Sequence, residues 1–166
     1  MIPHNQVLLT EDDKASVRRV LDSGQIGQGP EVERFEDELA ARFRPDGAAA
    51  CVSSGTAALR LAMIGLDLVD LSIPTYACSA LYHAIYDGTT NPTLLDCDAD
   101  TFNTPAATVV VHTYGVPCAV QDGAIEDFTH AAGGRLGQSP CGSLGAASVI
   151  SFGATKPLGC GAGGAV

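Results

Sequence analysis

Lys156 is the first candidate for chemistry, because residues 151–159 contain no other charged side chain. Apolar surroundings lower the pKa of a lysine amine, and a neutral amine can attack a carbonyl carbon to form a Schiff base. The only other lysine is Lys14, which falls on the polar face of a predicted helix. Lys156 is therefore the candidate nucleophile, and the alternative is an ordinary surface lysine on a loop.

A second candidate lies where an apolar run of strand length meets a helical run. Ser54, Gly55 and Thr56 follow the predicted strand and open the predicted helix. The first amides of a helix, together with the positive end of its dipole, bind phosphate groups. The junction therefore predicts a phosphate site, although an ordinary capped helix after a tight turn uses the same residue types.

A third candidate is the acidic pair Glu126 and Asp127 at the end of a predicted strand. Open α/β sheets bind ligands at the carboxyl ends of their strands, where a carboxylate can pair with a cationic ring nitrogen. A solvated strand end, or a helix cap by Asp127, is the alternative. The three candidates together follow the order of a pyridoxal phosphate site, with phosphate on a helix N-terminus, ring nitrogen on a carboxylate and aldehyde on a lysine.

Other motifs are rejected on their context. Residues 159–164 match G-x-G-x-x-G, but a dinucleotide site needs a strand before this motif and a helix after it, and a turn leading into a strand fits better. The four histidines and six cysteines lack the spacing of a zinc site, so we expect no metal. The cysteines lie mostly among apolar residues, which predicts reduced core thiols rather than three disulfides.

The composition places these candidates in a packed, acidic domain. Hydrophobic residues make up 46% and charged residues 17% of the 166 residues, which favours a folded core. The net charge of −10 argues against nucleic acid or anionic lipid as a partner. The chain shows neither a membrane-spanning apolar run nor a signal-peptide pattern, so we predict a cytoplasmic protein without a membrane partner.

The elements that must position the candidates are helices at first and then alternating strands and helices. Thr10 and Asp13 predict a capping box for the first helix, and Pro30 suits the first position of the second.

Short apolar runs then alternate with turns, as in a parallel sheet buried on both faces. We predict an α/β fold of one structural domain, with a helical segment at 1–46 and a core at 47–166. The predicted strands are Ala48–Ser53, Leu68–Ile73, Thr93–Leu95, Thr108–His112, Ala124–Asp127 and Ala147–Phe152, with helices at Thr56–Ile64 and Cys78–Tyr86.

Two connections between predicted strands are short, at residues 97–107 and 113–123. Parallel strands need a crossover of about a dozen residues or more, usually with a helix. The Pro, Asp and Gly content of both segments disfavours a helix. We therefore expect one sheet face to lack helical cover and to leave apolar strand residues exposed for an interface.

A series of short motifs extends this pattern over nearly the whole chain. The motifs are Ser23-Gly24, Gly29-Pro30, Phe35-Glu36, Ser54-Gly55-Thr56-Ala57-Ala58-Leu59, Pro74-Thr75-Tyr76, Val111-His112-Thr113-Tyr114-Gly115, Glu126-Asp127, Ser151-Phe152 with Lys156, and Gly161-Ala162-Gly163-Gly164. As a set they resemble the DegT/DnrJ/EryC1/StrS family of sugar aminotransferases. The resemblance implies the three-layer large domain of fold-type I (aspartate aminotransferase-like) enzymes with a mostly parallel sheet, here compacted and lacking the small C-terminal domain.

The resemblance also implies a role for each matching residue. Ser54, Gly55 and Thr56 would bind the phosphate of pyridoxal 5′-phosphate, and Ser151 would add a hydrogen bond. Tyr76 would stack on the pyridine ring, and His130 would pack near the ring and its hydroxyl. Asp127 would keep the ring nitrogen protonated. Lys156 would form the Schiff base with the cofactor and then move a proton between the substrate carbon and the cofactor.

The implied reaction moves an amino group from an amino acid, with glutamate expected, to a keto group of a nucleotide-linked sugar. The substrate is thus a small molecule, and the family's composite site implies a homo-oligomer. The alternative is a truncated, non-catalytic subunit that binds the cofactor or another protein and needs a partner chain. Another fold-type I enzyme is disfavoured, because cysteine desulfurases carry His where this chain has Thr155, and sugar dehydratases replace the lysine.

Overall fold

The fold is taken from a computed structural model, which describes residues 7–85 and 92–166. The chain divides into two compact units, Met1–Ala49 and Ala50–Val166. The first unit contains α1 (Glu11–Ser23) and α2 (Pro30–Phe43). The predicted capping box is confirmed, because the Thr10 hydroxyl accepts a hydrogen bond from the Asp13 amide and the Asp13 carboxylate accepts one from the Thr10 amide. Gly24, in the left-handed conformation, ends α1.

The second unit alternates strands and helices around one sheet. Its elements are β1 (Cys51–Val52), α3 (Gly55–Gly65), β2 (Ser72–Pro74), α4 (Ser79–Ile85), β3 (Thr93–Leu95), β4 (Val109–Val111), β5 (Ile125–Asp127), β6 (Arg135–Leu136), β7 (Ser139–Pro140), β8 (Ala147–Ser151) and β9 (Gly164–Ala165). Single 3₁₀ turns follow β4 and β5, at Thr113–Gly115 and Thr129–Ala131. Tyr86, the last residue of the predicted helix Cys78–Tyr86, lies outside the described residues.

The sheet order is β1-β9-β8-β5-β4. Strands β4, β5 and β8 are parallel, and β9 is antiparallel to both of its neighbours. A parallel pair, β2 and β3, continues from β4, since the backbone amide of Thr108 donates to the carbonyl of Ser72 over 2.8 Å. The predicted α/β class with a mostly parallel sheet is therefore confirmed. The carboxyl ends of β4, β5 and β8 lie side by side, which is where the parallel arrangement brings polar residues together.

One face of this sheet is covered by helices. The inward residues of the parallel strands, Ile73, Val109, Ile125 and Val149, are each at most 1% exposed. They pack with the apolar side of α3 and α4, which supplies Ala58, Leu59, Ala62, Met63, Leu81, Ala84 and Ile85. Burial of such aliphatic side chains is the main favourable contribution to folding of the unit.

The opposite face has no α-helix over it in residues 97–107 and 113–123, as their composition predicted. The expectation that apolar strand residues stay exposed there is wrong, because Val110 on β4 and its register partner Glu126 on β5 are both fully buried. The physical reason is the chain before β8. Amides of Gly142, Leu144 and Gly145 donate hydrogen bonds to the Glu126 carboxylate, so this loop folds onto the sheet in place of a helix.

The two short connections are also bonded to each other. The side-chain oxygen of Asn103 accepts from the Thr113 amide over 2.9 Å, and its nitrogen donates to the Val116 carbonyl over 3.0 Å. Gln121 donates to the Ala107 carbonyl over 3.1 Å. Buried backbone groups need such partners, so these side chains replace the backbone pairing that a crossover helix would supply.

None of the six cysteines, all of which the structure describes, forms a disulfide, which agrees with the prediction of reduced thiols. Their placement in the core is wrong for all but Cys141, because the other five are exposed or half-buried. Among the described residues, none of the helices combines the length and the apolar character that crossing a membrane requires.

Candidate active site

A cavity of about 450 Å³ opens at the carboxyl ends of the parallel strands. Its size falls within the range of small-molecule sites, and its wall is mainly apolar with a few convergent polar groups. The eight residues predicted from the sequence all lie in its wall: Ser54, Gly55, Thr56, Tyr76, Asp127, His130, Ser151 and Lys156. Residues more than a hundred positions apart in the chain are therefore brought to one site by the sheet topology.

The start of α3 forms one side of this cavity. The Ser54 hydroxyl caps the helix by accepting a hydrogen bond from the Ala57 amide over 3.1 Å. A Cβ atom at Gly55 would lie 2.7 Å from the Cβ of Ser151, so only glycine allows β8 to approach the helix this closely. The amides of the first helical turn and the Ser151 hydroxyl thus meet in one corner, which suits an anion such as phosphate.

Asp127 is held by the turn that follows β5. Its Oδ1 accepts a hydrogen bond from the amide of Thr129 over 3.0 Å. The Thr129 hydroxyl in turn accepts from the amide of Ser151 over 3.0 Å. Thr129 therefore ties the end of β5 to the end of β8 and fixes the separation between the acidic side and the phosphate corner of the cavity.

Lys156 and His130 are in direct contact. The Lys156 amine nitrogen Nζ lies 3.1 Å from Nε2 of the His130 ring. Lys156 is half-buried, and it is the only Lys or Arg among the cavity-lining residues that the structure describes. Desolvation and then the charge of Lys156 lower the pKa of His130, with Asp127 acting in the opposite direction.

Three aromatic rings form a cluster, and two of them, Tyr76 and Tyr114, line the cavity. Tyr76 and Phe102 have ring centroids 5.1 Å apart, and Phe102 and Tyr114 have theirs 5.9 Å apart in an edge-on arrangement. The hydroxyls of Tyr76 and Tyr114 are hydrogen-bonded, which raises the pKa of Tyr76. Phe102 and Tyr114 both adopt positive φ, of 58° and 53°, and each lies on one of the two short connections.

Glu126 is the member of the acidic pair that does not reach the cavity. Its carboxylate is fully buried on the other sheet face and accepts from His112 Nε2 over 2.9 Å and from the Gly142 amide over 2.7 Å. Burial raises the pKa of Glu126, but these hydrogen bonds outweigh burial and hold it below its ordinary value.

His112, Glu126 and Cys141 offer ligand atoms within 4.8 Å of one another, although the sequence spacing predicted no metal site. Both carboxylate oxygens already accept hydrogen bonds from amides. The Nδ1 of His112 accepts from the Cys118 amide over 3.2 Å, so its proton lies on Nε2 and points at Glu126. The arrangement is that of a satisfied buried network rather than of a cation site.

Thr129 and Tyr114 are two of the cavity residues that the sequence did not mark as site residues. Thr129 had a usable signal, because an Asp side chain commonly accepts from the backbone two residues later, and Asp127-Phe128-Thr129 fits that pattern. Tyr114 had no such signal, because its neighbours in the sequence do not predict that a bulky residue adopts positive φ.

The comparison with protein families decides the classification. The model of the DegT/DnrJ/EryC1/StrS aminotransferase family matches residues 8–166. The chain belongs to this family. Aminotransferases of the DegT family use pyridoxal 5′-phosphate. The residues in the cavity fit this group, because the first amides of α3 and the Ser151 hydroxyl are brought together at Gly55, Asp127 lines the cavity, and the Lys156 amine lies in the same wall.

Relatives in the DegT family share the fold and part of the sequence. The spore coat polysaccharide biosynthesis protein SpsC of Bacillus subtilis (strain 168) is 34% identical, over 98% of this chain and 48% of its own length. The dTDP-3-amino-3,4,6-trideoxy-alpha-D-glucose transaminase of Streptomyces venezuelae is 34% identical, over 95% and 48%. The crystal structure of AtS13 from Actinomadura melliaura superposes with a TM-score of 0.85 at 32% identity, over 99% and 52%. The chain thus spans about half the length of these relatives.

Proposed function

We propose that this chain forms the cofactor-binding half of a pyridoxal-phosphate-dependent aminotransferase. The observation that supports the proposal most is the meeting of Lys156, Asp127 and the α3 N-terminus in one cavity. A helix N-terminus, a carboxylate and an amine are the three groups that this cofactor requires of a protein. Each of these groups comes from a different part of the chain, so their meeting in one cavity is not expected by chance.

The corner of the cavity formed by the α3 N-terminus and Ser151 would bind a phosphate mainly through backbone amides and hydroxyl groups rather than through charged side chains. Gly55 and Thr56 present the first amides of α3, and the Thr56 and Ser151 hydroxyls can each donate one more hydrogen bond. Asp127 would hold a proton on the ring nitrogen, because a carboxylate within hydrogen-bond reach favours the cationic ring. Tyr76 would cover one ring face at the cavity mouth.

When bound, pyridoxal phosphate supplies an aldehyde and a ring that accepts electrons. Lys156 would bind the aldehyde carbon through Nζ and, once released, would take a proton at Nζ from the substrate carbon and return it. The half-buried position of Lys156 suits both tasks, since it limits competing contact with water.

The proposed substrates are an amino acid, with glutamate as the expected donor, and a keto sugar linked to a nucleotide. The transaminase of Streptomyces venezuelae carries a dTDP-linked amino sugar in its name, which supports this substrate class. Cysteines without disulfides are consistent with a cytoplasmic location, which we also propose.

A homo-oligomer, or a complex with a chain that supplies the other half of the site, belongs to this proposal. Lys156 is the single Lys or Arg among the described residues around the cavity. Because it would bind the aldehyde carbon of the cofactor, it would not be available to neutralise the phosphate. A phosphate dianion in a protein commonly has a cationic side chain nearby, so a partner would supply it. Sedimentation at micromolar concentration should therefore find a dimer or larger species. A monomer that binds pyridoxal phosphate tightly would contradict this part of the proposal.

The activity is tested by the first half-reaction. The chain is loaded with pyridoxal phosphate and mixed with glutamate, and the release of 2-oxoglutarate is measured enzymatically. Wild type should form it in a stoichiometric burst, whereas Lys156→Met should form none. Cofactor binding without any 2-oxoglutarate would support the alternative of a binding subunit, and absence of cofactor binding would overturn the proposal.

A further inference from the structure

The contact between Lys156 and His130 has no counterpart in the roles proposed so far. His130 lies in the 3₁₀ turn Thr129–Ala131, directly after β5, and its Nε2 lies 3.1 Å from Lys156 Nζ. The turn is firmly placed on two sides. Thr129 is hydrogen-bonded to β8, and a Cβ at Gly115 would lie 2.8 Å from the His130 carbonyl oxygen, so only glycine allows the neighbouring turn to pack here.

The charges around His130 determine which nitrogen holds a proton. The titratable groups that share its cavity are Asp127, Lys156, Tyr76, Tyr114 and Cys78. Desolvation and the Lys156 charge lower the pKa of His130 below its ordinary value of 6.5, against the opposing effect of Asp127. At neutral pH the ring is then uncharged, and a ring that accepts from Lys156 at Nε2 holds its proton at Nδ1.

We propose that His130 is a positioning residue for Lys156: its neutral ring accepts a hydrogen bond from the lysine amine and receives the proton that the amine loses on attacking a carbonyl carbon. The C–N bond forms from the nitrogen lone pair, the carbonyl electron pair moves to oxygen, and the N–H proton passes to Nε2. The inference rests on the proposed role of Lys156, and it gives His130 a task that is independent of the substrate.

The two lysines of the chain make this testable without cofactor. Trace acetic anhydride acetylates free amines, with acetate as the leaving group, and mass spectrometry gives the ratio of acetylated Lys156 to acetylated Lys14. Lys14 is an exposed internal reference on α1, paired only with Glu11 at 2.6 Å among the described residues. The ratio is measured from about pH 5 to pH 8, the range in which histidine changes its charge.

We expect the ratio in wild type to rise as His130 loses its proton, with the midpoint below 6.5, the ordinary histidine pKa. A protonated His130 ring cannot accept a proton. Its N–H instead donates a hydrogen bond to the lone pair of the Lys156 amine, which makes that lone pair less available for attack. The rise should be about fivefold, the factor that one net hydrogen bond commonly contributes. A ratio that stays flat across this range in wild type would overturn the proposal.

Two variants separate the hydrogen bond from the proton transfer. His130→Gln keeps a hydrogen-bond acceptor but cannot titrate, so its ratio should be independent of pH and intermediate in size. His130→Phe keeps a planar ring without an acceptor, so its ratio should be lowest at every pH. Circular dichroism and the unchanged acetylation of Lys14 serve as folding controls. A His130→Phe profile that matches wild type would contradict the proposal even if Gln alone misfolds.

The outcome is separable from that of the proposed function. If pyridoxal phosphate binds Lys156 equally fast in wild type and in His130→Phe, and the acetylation profiles coincide, then only the role of His130 fails. If the acetylation profiles differ as expected but pyridoxal phosphate does not bind, then the proposed function fails and the coupling of His130 to Lys156 stands.

Discussion

The two faces of the central sheet are closed by opposite means, and three consecutive residues of β5 show the difference. Ile125 points into the aliphatic core under α3 and α4, whereas Glu126 points into a polar network under the loop before β8. Asp127, next in the strand, returns to the first side but lies at its end, where the cavity opens. Side chains alternate along a strand, so neighbouring acids reach different environments.

The comparison shows how a loop can replace a helix as cover for a sheet. A helix satisfies its own backbone groups and offers an apolar stripe, but a loop leaves amides that need acceptors. Glu126 supplies both carboxylate oxygens for that purpose, to Gly142, Leu144 and Gly145. We infer that the loop-covered face depends on one carboxylate, while the helix-covered face depends on many small apolar contacts.

The largest expected effect is on Glu126→Gln. The substituted amide presents N–H donors to backbone N–H donors in a buried site, and the His112 ring loses its charged partner. The free energy of unfolding, measured with urea, should fall by roughly 3 kcal/mol. The matched control is Asp122→Asn, which removes the same charge from an exposed position and should change it by less than about 0.5 kcal/mol. Equal effects of the two changes would contradict the dependence of the loop-covered face on the Glu126 carboxylate.

Acidification should reproduce part of this loss. The folded-state pKa of Glu126 is held below its ordinary value of 4.5, so its contribution is fully present above that pH and disappears as pH falls through the folded value. Asp13 and Asp98 also have lowered pKa values, so the difference between wild type and Glu126→Gln isolates the network. We expect this difference, from urea unfolding at about pH 7 and about pH 3, to shrink at the lower pH. A constant difference would count against the hydrogen-bonded carboxylate.

A smaller effect is expected for Ile125→Val on the helix-covered face. The change removes one methylene group from a fully buried position, and many neighbours share the loss. The free energy of unfolding should fall by about 1 kcal/mol, with no dependence on pH between 3 and 7. A loss as large as that of Glu126→Gln would mean that both faces are equally sensitive.

The smallest effect on stability is expected for Asp127→Asn. Its Oδ1 can still accept from the Thr129 amide, so unfolding should change by less than about 0.5 kcal/mol. Glutamate-dependent release of 2-oxoglutarate should nevertheless be abolished, because a neutral amide does not keep the ring nitrogen protonated. Unchanged release, or stability lost as with Glu126, would remove the distinction between the two acids.

The sequence predicted the fold class, the order of the main helices and strands, and eight of the residues that line the cavity, because these depend on local patterns such as the cap at Ser54 and the apolar run before Glu126. It could not predict how the sheet face without helices is closed. The closure of this face depends on contacts between Glu126 and a loop some twenty residues later in the chain. Nothing in the sequence of that loop indicates that its amides bind a distant carboxylate. Without those contacts, the sequence shows Glu126 and Asp127 only as two adjacent acids and does not separate their roles.

Lys156 is the amine proposed to bind the cofactor, and the whole assignment of the site depends on it. The direct test is to add pyridoxal phosphate to the purified chain, reduce with borohydride and locate the phosphopyridoxyl group by mass spectrometry. With only Lys14 and Lys156 in the chain, the label has two possible lysine positions. Nearly all of the label should lie on Lys156, and it should be lost in Lys156→Met. Label on Lys14, or an unlabelled chain, would contradict it.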